Sequence, residues 1–274
     1  MTDADRRTYL LGTHDEELQR LGLQHHVWRP RVLDCWRRAG ITAGWTVIDA
    51  GAGPGWATAD LAESVGRDGE VWALERSDRY FEYLTERAKV LGLPQVRPHQ
   101  LDLVTDDLPV EGADAFWIRW VLAFIPEPAR VLAKLAAALK PGGVAIIHEY
   151  VDWGTHSLLP SPKPAYESFV QFVLDDWRAS GGEPDIGRRL PDLCPAAGLR
   201  IREVRALGEI AAPTDVMWRW TSSFVRGYAP FLAESGKRTR EWAEAVVAEI
   251  DEAERDPRTL VVTPYLMEVI AEKV

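Results

Sequence analysis

Between Val47 and Trp56 the chain reads Val-Ile-Asp-Ala-Gly-Ala-Gly-Pro-Gly-Trp, with an acid at position 49 and glycines at 51, 53 and 55. An apolar run ends in the acid, and a helical pattern begins at Ala57. That order describes a strand, a tight turn and a helix N-terminus. Glycine lacks a Cβ and tolerates positive φ, so such a turn lets a ligand approach the backbone closely. The helix start adds N–H groups with no partner inside the helix. The chemistry implied is the cradling of a nucleotide-type cofactor. The spacing G-x-G-x-G is not the dinucleotide fingerprint G-x-G-x-x-G, and Trp56 stands where the third fingerprint glycine would be. Asp49 would repel a pyrophosphate but could hold a cation.

The surrounding segments must place these groups. Strands are expected at Thr46–Ala50, Glu70–Leu74, Val96–Leu101, Ala113–Ile118 and Val144–Ile147, with helices at about 57–65, 78–91 and 128–139 between them. Alternating strands and helices predict a doubly wound parallel sheet, whose ligands lie at the carboxyl ends of the strands. The residues at those ends are then the candidates. Glu75 ends the second strand and can accept from two vicinal ribose hydroxyls. Asp102 and Leu103 end the third strand, Arg119 and Trp120 the fourth, and His148, Glu149 and Tyr150 the fifth. His148 is the leading candidate for a general base, because a histidine titrates near neutral pH. Glu149 alternates to the other side of the strand, so at most one of the pair faces a substrate.

With Asp49, Gly51, Gly53 and Gly55 in place, the stretch resembles the first motif of the class I S-adenosylmethionine-dependent methyltransferases of the small-molecule type, V-[IL]-D-x-G-x-G-x-G. The turn Lys140-Pro141-Gly142-Gly143 and the run from Arg119 to the proline-marked helix start at Ile125-Pro126-Glu127-Pro128 are similar to further features of that family. The resemblance implies a Rossmann-like sheet of seven strands, its last strand antiparallel, and S-adenosylmethionine as cofactor. It implies cofactor contacts at Asp49, Ala50, Gly51, Gly53, Glu75, Arg76, Asp102, Leu103 and Arg119. Asp102 would accept from the adenine amino group, and a neighbouring backbone N–H would meet the ring. The spacing of Glu17, Arg20, Leu21 and Gln24 resembles the helical cap of such enzymes and implies that Tyr9 and Gln24 lie near the methionine end of the cofactor. The implied reaction is methyl transfer to a small, apolar or aromatic metabolite at O, N or C. Two alternatives stay open: a quinone or lipid C-methyltransferase, and a non-catalytic S-adenosylmethionine-binding sensor or partner subunit.

Composition sets limits. The formal net charge of -10 disfavours a nucleic-acid partner, because an acidic surface repels phosphates. Asparagine is absent, so an Asp-Asp-Asn metal site cannot be complete, and no metal is expected. Two cysteines, a start without an apolar core and no long apolar run fit a reduced, cytoplasmic chain without a membrane span. Residues 1–44 read as a helical cap, with one helix over Pro30–Ala39 that Pro30 begins and Gly40 stops. Residues 45–150 read as the cofactor-binding core. Residues 151–274 complete the sheet and carry helical insertions at about 160–182 and 214–256. Among the aromatic residues of these parts, Trp28, Trp120, Tyr150, Trp153, Tyr166 and Trp218 are the candidates for lining an acceptor pocket. The expected assembly is a monomer or a homodimer.

Overall fold

The computed structural model describes residues 15–274. It divides into two compact units. One comprises residues 15–27, Asp152–Pro184 and Leu207–Leu266; the other comprises Trp28–Val151, Asp185–Ala206 and Met267–Val274. They are called the helical unit and the sheet unit below.

The sheet unit is built on strands β1 (Thr46–Ala50), β2 (Glu70–Glu75), β3 (Val96–Gln100), β4 (Ala113–Arg119), β5 (Leu139–Asp152), β7 (Leu199–Leu207) and β10 (Tyr265–Lys273). Their order is β3-β2-β1-β4-β5-β10-β7, and the sheet is the mixed, Rossmann-like one expected. β1 pairs in parallel with both β2 and β4, at Asp49↔Ala73 and Asp49↔Trp117. β4 pairs in parallel with β5 at Arg119↔His148. The sequence order reverses at β1, between β2 and β4. In an open α/β sheet the ligand crevice lies at such a switch point. Strand β1 buries all but its first residue, β4 all but Asp114 and Arg119, and β5 is buried throughout Gly143–Tyr150, as parallel strands covered on both faces are.

Helices α2 (Trp56–Val65), α3 (Asp78–Val90), α4 (Pro128–Ala138) and α6 (Leu190–Ala196) connect these strands. The Ser77 side chain caps α3 by accepting from the Tyr80 N–H, and Pro128 opens α4 at its first turn, where its missing N–H costs nothing. Before β7 the chain forms a 3-10 turn, Ile186–Arg189, followed by the seven residues of α6. The Lys140–Gly143 turn is drawn into the start of β5, with Lys140, Pro141 and Gly142 exposed and Gly143 buried.

Helix α1 corrects one expectation. It runs unbroken from Asp15 to Ala39, with Pro30 inside it. Trp28, Val32, Cys35, Trp36 and Ala39 form a buried stripe at helical spacing. Burying a stripe of that size is worth several kcal/mol, enough to outweigh the roughly 3 kcal/mol cost of an interior proline. Gly40, at φ 93, ends the helix by donating to the Trp36 and Arg37 carbonyls.

In the helical unit, α5 (Pro164–Ala179), α7 (Val216–Glu234) and α8 (Arg240–Arg255) pack together. The Arg226 guanidinium ties α7 to Asp251 and Glu254 of α8, and the Tyr166 N–H donates to Glu249 at 2.7 Å. A small antiparallel sheet of β6 (Ser157–Leu159), β9 (Leu260–Val262) and β8 (Ile210–Ala211) completes this unit. Its strands, of two or three residues, are too short for a period-2 pattern to show in the sequence.

Candidate functional site

The turn after β1 forms as its glycines predict. Gly51, Gly53 and Gly55 have φ values of 74, 57 and 79, all in the left-handed region that other residues resist. The neighbourhood differs at each. A Cβ on Gly51 would lie 2.5 Å from a Val121 methyl, and one on Gly55 would lie 2.3 Å from a Leu84 methyl. Gly53 is buried, yet a Cβ on it would meet nothing within 4 Å. A buried glycine facing open space marks a cradle that a ligand can enter.

Two acids border it. Asp49 is buried and its Oδ2 accepts from the Thr58 hydroxyl at 2.6 Å. Burial pushes its pKa up to about 6, against the opposing pull of the Thr58 bond and the Arg119 charge. Glu75 is buried at the tip of β2. Its Oε2 accepts from the Gly53 N–H and its Oε1 from the Ser77 N–H, both at 2.8 Å. Burial raises its pKa, while these two donors, with the Arg76 N–H and charge, favour the charged form. A carboxylate offers about four acceptor positions, so the group keeps capacity for a further donor. Ala50 is buried directly before the loop. The Gly51 and Ala52 N–H groups both donate to the Leu74 carbonyl at 2.9 Å, which fixes the loop against β2.

At the end of β3, Asp102 uses Oδ1 to accept from the Val104 N–H at 2.7 Å and stands 3.9 Å from the Arg76 guanidinium. Leu103 beside it is buried and packs into the core of the sheet unit. At the end of β4, the Arg119 guanidinium lies 4.9 Å from the Trp120 ring centre. Enclosure by protein lowers its pKa to about 10, with Asp49 opposing. Trp120 stacks on Tyr150 with ring centres 5.6 Å apart and meets Trp28 edge-on at 5.9 Å. The structure thus brings together Asp49, Gly51, Gly53 and Glu75 on the loop and its flank, and Trp28, Trp120 and Tyr150 in one aromatic trio.

Other expected residues belong to the helical unit. Trp153, Tyr166 and Trp218 are 2%, 0% and 0% exposed. Trp153 packs on Trp177 and Phe224, and the Tyr166 hydroxyl is 2.6 Å from His156 Nε2. These three are core, not pocket lining. Gln24, also in the helical unit, accepts from Arg20 at 3.1 Å and from the Trp220 indole N–H at 3.0 Å. Tyr9 lies outside the described residues.

His148 is corrected too. It is 0% exposed, its ring edge-on to Trp117 at 4.7 Å and its Nε2 2.8 Å from Glu268 Oε2. Burial works to raise the Glu268 pKa, but His148 and Arg38 outweigh it, so Glu268 is an anion. An anion accepts, so Nε2 donates. Burial also lowers the His148 pKa. A ring sealed and committed in this way does not reach an acceptor. Cys35, His148 and Glu268 present donor atoms within 4.8 Å of one another. However, Arg38 already pairs with Glu268, and burial holds the Cys35 thiol protonated. The cluster is therefore charge-balanced without an ion, and adding a divalent cation would leave net charge in the interior.

The sequence reading missed Thr58, Val121 and Glu268 as partners. Glu268 had a signal: it is a lone acid inside the apolar run Leu266–Ala271.

Comparison with known proteins agrees with this geometry. Residues 47–143 match the model of a methyltransferase domain. That match spans the glycine turn and strands β1 to β4. A demethylmenaquinone methyltransferase of Lactococcus lactis subsp. lactis (strain IL1403) is 28% identical over 151 residues, which are 55% of this chain and 57% of that protein. The chain thus matches a little over half the length of that relative. Among solved structures, a SAM dependent methyltransferase from Aquifex aeolicus superposes with a TM-score of 0.53 at 19% identity, covering 100% of both chains. The [4+2]-cyclase SpnF superposes with a TM-score of 0.55, also at 19% identity, covering 89% of this chain and 80% of that one. This fold therefore carries more than one chemistry, and the site must decide.

Proposed function

We propose that the chain transfers a methyl group from S-adenosylmethionine to a small, largely apolar or aromatic molecule. The observation that carries this reading is Glu75 bonded to the Gly53 N–H at the mouth of the glycine cradle. One acid both shapes the loop and keeps acceptor positions for ribose hydroxyls. The residues present suit the cofactor otherwise. Gly53 leaves room for it, and Asp49 places negative charge beside a position for a cation. A pyrophosphate would meet two buried acids instead.

Bound there, the cofactor supplies a methyl group already activated on a sulfonium. The chain then has to bind, orient and keep water out. Asp49, held by Thr58, would face the cationic end. Glu75 would take the ribose. Trp120, half-buried at the end of β4 and backed by the buried rings of Tyr150 and Trp28, presents aromatic surface suited to a flat or apolar acceptor. Orienting the acceptor behind the methyl group supplies most of the required rate. The helical unit contains a cavity of about 480 Å³ bordered by Arg20, Phe224, Tyr228 and Phe231, a size that fits a small molecule.

A quinone-type acceptor is the second reading, favoured by the relative that acts on demethylmenaquinone. The test is transfer of labelled methyl groups from S-adenosylmethionine to panels of phenols, amines and demethylated quinones. Product in the phenol or amine panel supports the first reading, and product from a quinone the second. Tight S-adenosylmethionine binding with no product in any panel supports a non-catalytic binding protein.

A further inference from the structure

Glu149 is buried in β5, on the face opposite His148, and takes no part in the site as described so far. Its Oε1 accepts from two consecutive backbone N–H groups, Val121 at 2.8 Å and Leu122 at 2.7 Å. The preceding N–H, that of Trp120, donates to the His148 carbonyl at 3.0 Å. Three successive N–H groups after β4 are thus pinned to two successive residues of β5. The turn they hold is strained. Trp120 has φ 52 and is the only residue other than glycine with positive φ among the described residues. A non-glycine residue there costs about 1–2 kcal/mol and persists only where its surroundings fix it.

Glu149 Oε2 is buried with no hydrogen-bond partner. A carboxyl group in that condition is expensive, and burial raises its pKa to about 8. An apolar residue would avoid this cost. What only an acceptor can provide is the hold on the turn, and the turn leads directly to the cradle. Val121 sets its methyl where a Cβ of Gly51 would stand, 2.5 Å away, and Trp120 lays its ring on Tyr150.

We propose that Glu149 is a positioning residue of the cofactor site, clamping the Trp120–Leu122 turn so that Val121 backs the glycine cradle and Trp120 stays in the aromatic trio. This inference rests on the cradle being a cofactor site. It adds a residue that touches neither cofactor nor acceptor and acts through the backbone of β4. Removing the acceptor lets the strained turn relax and moves Val121 from Gly51. Cofactor affinity then falls by more than the loss of stability alone would produce.

Affinity for S-adenosylhomocysteine is measured by calorimetry, with melting temperature alongside, for wild type, Glu149→Leu, Glu149→Gln, Val121→Ala and Leu132→Ala. Leu132 is a buried residue of α4 and serves as the control for simple destabilisation. Losing two hydrogen bonds to a buried acid predicts that Glu149→Leu weakens binding about tenfold or more. Glu149→Gln keeps an acceptor oxygen and stays within about threefold, as does Leu132→Ala despite its lower melting temperature. Should Glu149→Leu fail to fold, Val121→Ala carries the test through a smaller loss of affinity. Wild-type affinity in a folded Glu149→Leu or in Val121→Ala overturns the inference while leaving the cofactor assignment intact. A wild-type protein that binds no S-adenosylhomocysteine overturns both.

Discussion

Replacing Glu75 by glutamine changes one atom and tests the centre of the site. Both carboxylate oxygens are occupied, Oε2 by the Gly53 N–H and Oε1 by the Ser77 N–H, each at 2.8 Å. An amide offers only one oxygen, so its NH₂ group must face one of those two N–H donors. One charge-assisted bond is lost and the other weakened, which costs about 2–3 kcal/mol of stability given about 1.5–3 kcal/mol for a bond to a charged group. The effect on binding is separate. The acceptor positions left on the carboxylate are those proposed for ribose. Losing one of them, together with the charge, predicts a Kd for S-adenosylhomocysteine raised roughly 10- to 150-fold. Calorimetric titration gives the Kd, and urea denaturation gives the stability. A folded Glu75→Gln variant that binds within about threefold of wild type would refute the ribose assignment, and a variant as stable as wild type would refute the loop-bracing role.

The glycines separate strain from space. Gly55→Ala combines a left-handed φ with a Cβ 2.3 Å from Leu84 and is expected to lose about 3 kcal/mol or more. Gly53→Ala meets no atom and should lose only about 1–2 kcal/mol while abolishing measurable cofactor binding; thermal melts beside calorimetry distinguish the two. The pKa of Glu149, about 8 in the fold against an ordinary 4.5, means that the folded chain keeps a proton the unfolded chain has lost. Stability should therefore fall as pH rises through that window. Between pH 6.5 and 8, above the range where His148 and His156 contribute their opposite slope, Glu149→Gln should flatten the melting-temperature profile; an unchanged slope contradicts the assignment. Glu268→Gln strips the buried partner of His148 and Arg38 and should cost about 3–5 kcal/mol in urea melts. Its affinity for S-adenosylhomocysteine should stay at the wild-type value, and a large loss there would return His148 to the site.

The cradle was legible in the sequence because its signals are local. Three glycines at alternate positions dictate left-handed turns, and the strand periodicity brings Glu75 to a strand tip. The doubly wound class followed from alternating strands and helices. The continuity of α1 did not show, because the buried stripe from Trp28 to Ala39 that overrides Pro30 depends on partners distant in sequence. Trp36, for example, meets Trp117 at 5.3 Å. The three-stranded sheet also escaped, since its strands join residues about 50 to 100 positions apart.

The failure at His148 and Glu149 has a more general cause. Strand alternation tells the reader that two neighbours point to opposite faces, but not which face is open. In this chain neither is a free surface. One residue closes a charge network with Glu268 and the other holds the β4 turn. A strand end rich in titratable groups reads as catalytic because exposed acids and bases are rare inside a sheet. Here the same groups are retained because β5 must supply acceptors and donors to elements that bring none of their own. The turn after β4 offers three N–H groups in a row and no capping side chain. Its partner had to come from the adjacent strand, and one side-chain oxygen at position 149 reaches two of the three at once. The groups that shape the cradle thus lie partly outside it, on the strand beside it.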